Sequence, residues 1–169
     1  LDVILRDEAF QKPVFFSGTT FLFDKFAVFL KNHHHIIRIN NQLHLYEGGI
    51  YVSGIANIEA VMIQHLPQLN RSKRQEVLAY LDILIRENTS PATPNFIAFR
   101  NGIYNVLADE FLPFSPEYVI TNMIPWDWNP NAYFELTDEI LNNISVHDTA
   151  VRSLLEEMIG STFYRSNAL

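Results

Sequence analysis

Three consecutive histidines, His33-His34-His35, are the most obvious set of metal-ligating side chains in this 169-residue chain. Neutral imidazoles suit zinc-like ions. Neighbouring side chains diverge, however, and on a strand only His33 and His35 would share a face. No carboxylate stands beside them at ligand spacing, so the run reads as a solvated junction between a helix and a strand, and no metal ligand is assigned. Arg71, Lys73 and Arg74 are the one dense basic cluster. They fall at the start of a helix, where positive charge opposes the dipole. That misplacement makes them the candidate contact for DNA phosphates, set against the plainer reading of a solvated helix cap. Tyr46, Tyr51, Phe99, Tyr104, Trp126 and Trp128 have the chemistry to stack bases on a β-surface. They lack interleaved Lys/Arg, and a core role is the simpler reading.

Other chemistries find no residues. The six glycines never form GxxxxGK[ST] or GxGxxG, so no nucleotide-phosphate loop is present. A nucleophile elbow and the Asp-x-Asp pairs of polymerases are absent as well. The chain has no cysteine, which removes disulfides and thiolate metal sites. No catalytic or cofactor-binding residue is assigned.

Composition narrows the class. Apolar residues make up 48% and charged residues 18%, enough for one well-formed core and too few charges for extended disorder. No apolar run approaches the roughly 20 residues that span a bilayer. The absence of an initial Met or a signal peptide is read as the mark of a piece of a longer, cytoplasmic protein. The net charge of −7 is unevenly placed. Residues 1–100 carry ten Lys/Arg and nine Asp/Glu, whereas residues 101–169 carry two and ten. The acidic second half is poor material for gripping a phosphate backbone.

The elements that must position these residues can be read from periodicity and turn chemistry. A short apolar run at residues 13–16 closes at Ser17-Gly18, and Thr19 or Thr20 is the expected cap of a first helix ending near Asn32. Ile36 to Ile39, Gln42 to Tyr46 and Ile50 to Val52 form a meander with turns at Asn40-Asn41 and Gly48-Gly49. Asn57 is expected to open a second helix that Pro67 ends. Ser72 with Gln75 is expected to form a capping box for a third, whose stripe is Val77, Leu78, Leu81, Leu84 and Ile85.

Residues 95–130 organise the rest. Phe96 to Phe99 and Ile103 to Val106 flank Asn101-Gly102, a pair expected to form a type I′ turn with positive φ at both residues. A third short strand follows at Phe111 to Phe114, and Tyr118 to Ile120 is a further extended piece. Residues 124–130 read as a proline-bounded loop laying Trp126 and Trp128 on the body of the domain. A fourth helix is expected to start at Thr137, and a fifth runs from the cap Asp148 to a stop at Gly160. The expected fold is α+β: short antiparallel β-hairpins and meanders packed with about five helices.

Several of these segments occur in a recognisable order. Leu45-Tyr46-Glu47-Gly48-Gly49-Ile50-Tyr51 is followed about fifty residues later by Ile97-Ala98-Phe99-Arg100-Asn101-Gly102-Ile103-Tyr104. Then come Leu112-Pro113-Phe114-Ser115-Pro116-Glu117, Thr121-Asn122-Met123-Ile124-Pro125 and Leu154-Leu155-Glu156-Glu157-Met158-Ile159-Gly160. Together they resemble the N-terminal helicase-associated domain of phage and plasmid primase-helicases, a domain type that poxvirus primase-helicases share. The resemblance runs from about Phe21 to Gly160.

The resemblance implies an accessory domain of a DNA-replication protein, lying between a priming region and a superfamily-three AAA+ helicase. It implies an arm or linker at 1–19, the domain at 20–160 and the start of a linker at 161–169. ATP and Mg belong to the helicase domain; the partners are DNA, held weakly or indirectly, the parent's own helicase and primase domains, and further copies in a hexameric ring. Tyr46, Gly48, Gly49, Tyr51, Asn101, Gly102, Pro125 and Gly160 carry over as structural markers. The implied role is to assist ring assembly and couple priming to unwinding. The rival reading is a free-standing nucleic-acid-binding or regulatory module.

Overall fold

A computed structural model describes residues 15–164. The chain runs β1 (Phe16–Ser17), β2 (Thr20–Phe21), α1 (Phe23–His33), β3 (Ile37–Ile39), β4 (Gln42–Glu47), β5 (Ile50–Ser53), α2 (Ile55–His65) and α3 (Arg71–Leu84). It continues with β6 (Phe96–Phe99), β7 (Gly102–Asn105), β8 (Glu110–Leu112), α4 (Glu135–Ile144) and α5 (Thr149–Ser161). All strand pairs are antiparallel, in a two-stranded ribbon and two three-stranded meanders ordered β3-β4-β5 and β6-β7-β8. The α+β expectation holds. Of the expected arm, residues 1–14 lie outside the described residues; Phe15, within it, is buried in the main core.

That core is helical. Phe26 and Leu30 of α1 meet Val77 and Leu81 of α3, with Ile58 and Met62 of α2 beside them, all essentially inaccessible to solvent. Each set recurs at three- or four-residue spacing, which puts it on one helix face. A second, smaller cluster holds Ala98, Ile103 and Ile120 beneath the second meander. Ile39, Tyr51 and Val119 bridge the space between the two.

The turns depart from expectation in an instructive way. Asn40 and Asn41 have φ of 49° and 62°, and Gly48 and Gly49 have 59° and 93°. Each pair closes a two-residue loop, between Ile39 and Gln42 and between Glu47 and Ile50. These are the left-handed turns that match strand twist. At the third hairpin Phe99 pairs with Gly102, so the loop is Arg100-Asn101 and not Asn101-Gly102. Asn101 does not have positive φ; only Gly102 does, at 157°. A β-carbon on Gly102 would stand 2.7 Å from the Leu112 carbonyl oxygen and 2.6 Å from the Phe111 ring. Glycine is required there because β8 passes against it.

Helix ends also differ. Thr20 lies in β2, and α1 starts after Leu22 without a side-chain cap. α2 begins at Ile55, after Gly54, with Asn57 inside it. For α3 the cap is Asn70, whose Oδ1 accepts the Lys73 N–H at 3.0 Å, so Ser72 and Gln75 form no capping box. Asn caps as well as Ser, and its extended backbone (ψ 170°) places it first. α4 begins at Glu135, two residues before Thr137. Asp148 caps α5 as expected, accepting from Ala150 and Val151. Gly160 does not stop α5: it keeps a right-handed backbone, and the helix runs on to Ser161.

The glycines therefore predict opposite outcomes. Gly102→Val should destabilise the chain by about 1–3 kcal/mol through backbone strain and the collision with β8. Gly160→Ala meets open space in a helix and should stabilise it by up to about 1 kcal/mol. Denaturant midpoints of the two variants check both signs.

Candidate functional site

Gly49 and Tyr51 of the first meander and Gly102 of the second face one later stretch. Tyr51 of β5 is buried, donates its hydroxyl to the Pro116 carbonyl at 2.7 Å, and donates its N–H to the Ile120 carbonyl at 2.7 Å. Burial, then the Tyr46 hydroxyl, pushes its phenol up to about 12, so it stays a donor. Tyr46 stands 5.2 Å from the Tyr51 ring, and burial raises its phenol too. Gly49 lies under the Phe114 ring, which a β-carbon would strike at 2.4 Å. Gly102 lies against Phe111 and Leu112. At Gly48 a β-carbon would meet no atom within 4 Å, and its role is the turn alone.

Asn101 completes the set. Its Oδ1 accepts the Trp128 N–H at 2.8 Å and its Nδ2 donates to the Trp128 carbonyl at 3.1 Å. A side-chain amide that pairs with both backbone groups of one residue acts like an added strand residue. The loop is tied further by the Arg100 N–H to the Trp126 carbonyl, the Ile124 N–H to the Ala98 carbonyl, and the Arg100–Asp127 ion pair at 2.8 Å. Arg100 holds the exposed Asp127 carboxyl below its usual range. The Trp128 indole stacks on Tyr104 with centroids 4.3 Å apart and leans on Phe99. Trp126 is 71% exposed, so only one of the two indoles lies on the body. Pro125, just before Trp126, is exposed too. The stretch 111–128 is thus a strap across both meanders, and Gly49, Tyr51, Asn101 and Gly102 are its attachment points.

The basic cluster is partly committed to the fold. Arg74 donates to Glu59 at 3.1 Å and to the Leu69 carbonyl at 2.8 Å. The Lys73 ammonium stands 5.5 Å and 5.6 Å from the Phe16 and Phe21 ring centres, a cation–π arrangement. Arg71 is exposed.

The histidine run does not form a strand. His33 ends α1, His34 is its C-cap, and His35 takes φ of 48°. His65, the last residue of α2, comes from 31 positions away to place its Nε2 2.8 Å from that of His34. Sequence reasoning passed over it because only the fold brings the two helix ends together. Burial, followed by the nearby imidazoles, lowers the His34 pKa to about 4.

α4 and α5 form a hairpin without a fully buried hydrophobic side chain. Arg152 joins the two, bonding Asp138 and Asn142 of α4 and Glu156 of its own helix. Leu136, Ile140 and Ile144, and Val151, Leu154 and Met158, leave apolar stripes in solvent.

The Asn101 clamp predicts a spectroscopic outcome. Asn101→Ala removes both hydrogen bonds to Trp128 and should cost about 1–2 kcal/mol, with a shift in tryptophan emission as the indole leaves Tyr104. An unchanged spectrum and unfolding midpoint would show that the stack holds the loop without the clamp.

Among curated proteins, none matches the chain. A family model does: D5 N terminal like, over residues 17–146. That range contains both meanders, the strap and every joint between them, while all of α5, with Gly160, lies beyond it. The chain belongs to the D5 N terminal like family, the N-terminal domain of phage and plasmid primase-helicases.

Proposed function

We propose that this domain is a non-catalytic accessory unit of a replicative primase-helicase, which helps its ATPase ring assemble and couples priming to unwinding. The observation that carries the reading is the α4–α5 hairpin. Leu154 is 64% exposed and Ile140 47%, although both lie on the apolar stripes of well-formed helices. Contiguous exposed apolar surface of this kind marks a contact site. The occupant proposed is the helicase domain that follows in this family, with neighbouring copies in the ring. ATP and Mg2+ would be handled there, in the cytoplasm of a bacterial host.

The test is made in a primase-helicase carrying this domain. Ile140→Glu and Leu154→Glu should leave the domain's stability within about 0.5 kcal/mol, as exposed substitutions do. They should lower the hexamer fraction in sedimentation and uncouple ATP turnover from unwinding. Normal assembly and normal coupling in the double variant would overturn the reading.

Any direct DNA contact should be weak, since Lys73 and Arg74 already have protein partners and Arg71 alone of the cluster projects outward. Each phosphate neutralised contributes a slope of about −0.9 in log affinity against log salt, so the isolated chain should show a shallow dependence. Avidity across a ring would multiply such contacts. Fluorescence titration against single- and double-stranded DNA checks this. Submicromolar binding at moderate salt, unaffected by neutralising Arg71, Lys73 and Arg74, would favour the free-standing binding module.

A further inference from the structure

We infer that His33, His34 and His65 form a binding site for one divalent transition-metal ion of the zinc type. Their candidate ligand nitrogens all lie within 4.8 Å of one another. His34 Nε2 and His65 Nε2 are 2.8 Å apart. A tetrahedral ion with Zn–N bonds of about 2.0–2.1 Å spaces its ligand atoms by about 3.3 Å. That pair opens by about half an ångström to admit the ion, and His33, exposed at the end of its helix, turns inward.

Two further features of the site favour a cation. His33 is the last residue of α1 and His65 the last of α2. Two helix C-termini, each carrying partial negative charge, therefore converge on the cluster. The imidazoles are also held in place. Phe29 stacks on His33 at 5.0 Å and 14°, and meets His65 edge-on at 5.0 Å. Phe29 thus keeps two of the three rings near the site before an ion arrives, which limits the ordering cost of binding.

Without an ion the grouping is poorly resolved chemically. One hydrogen bond joins His34 to His65 and uses one proton. Neutral imidazole is the form that binds metal. His35 is not part of the site, because its left-handed backbone sends the ring toward Tyr46, with centroids 6.1 Å apart. Three protein ligands leave a fourth position for water or for a group from another molecule. Nitrogen ligands select zinc, copper, nickel or cobalt over magnesium or calcium.

The experiment titrates the full chain with Zn2+ against a chromophoric chelator, and with Co2+ followed by visible absorption. One Zn2+ should bind per chain, raise the thermal midpoint, and compete away the intense d–d bands of four-coordinate Co2+. His65→Gln should weaken binding by at least tenfold, since loss of even an outer partner of a metal ligand costs about 10–100-fold, and should abolish the thermal shift. His35→Gln should change neither. Should His65→Gln unfold, His33→Gln, at an exposed position, decides in its place. Failure to bind Zn2+ stoichiometrically would overturn the proposal. So would binding that survives His65→Gln but falls with His35→Gln, because that pattern belongs to the histidine run acting as a local peptide.

Discussion

One buried guanidinium holds the first half of this domain in register. Arg38 lies in the middle of β3 and is almost fully buried. A buried charge must find acceptors or it destabilises the fold. Arg38 finds them at the end of α3: the carbonyls of Ile85 and Asp82, and the Asp82 carboxylate at 2.6 Å. Those carbonyls are among the acceptors a helix leaves unpaired at its C-terminus. A third carbonyl, from Asn41, comes from the meander's own turn. Asn88 pairs with Asn41 through both side-chain and backbone groups, and the Thr89 N–H donates to the Arg38 carbonyl at 2.7 Å. The same residue therefore seats the meander on the helical core and fixes where the chain leaves toward the second meander.

From there the two halves are joined by a strap and not by a shared sheet. The backbone of β5 reaches Ile120 and the Ala98 carbonyl of β6 accepts the Ile124 N–H, so the 111–128 stretch serves as a common partner for both meanders. The residues that make these joints are two glycines, a tyrosine and an asparagine, each for a physical reason. Gly49 and Gly102 leave room for Phe114 and Phe111 to approach, Tyr51 supplies a donor for a carbonyl in a proline-interrupted turn, and Asn101 pairs with a loop that has no strand to pair with. These are requirements of assembly.

The last two helices obey a different logic. Their mutual contact is organised by Arg152 and its carboxylate and amide partners, which sets orientation while burying little. Surface ion pairs of this kind contribute modestly to stability. An amphipathic hairpin held by polar contacts keeps its apolar stripes available for another surface.

Much of this was legible before any fold was in hand. Periodicity placed all five helices and the meanders, because a 3.6-residue or two-residue repeat of apolar side chains is a local property. Asn40-Asn41 and Gly48-Gly49 disclosed their turns because positive φ is a property of single residues. The order of short motifs led to the family. Asn101-Gly102 was misread by one residue because its glycine answers to β8, a neighbour that propensity cannot see. Trp126 and Trp128 look alike in sequence, yet only Trp128 has Tyr104 beneath it. Arg38 carries no mark of burial, since Asp82 and Ile85, which supply most of its acceptors, lie 44 and 47 residues ahead. His65 joins His33 and His34 only because α1 and α2 end at the same place. Local chemistry determined the elements; which side chains meet was decided by packing, where contacts between distant positions depend on the whole core closing at once.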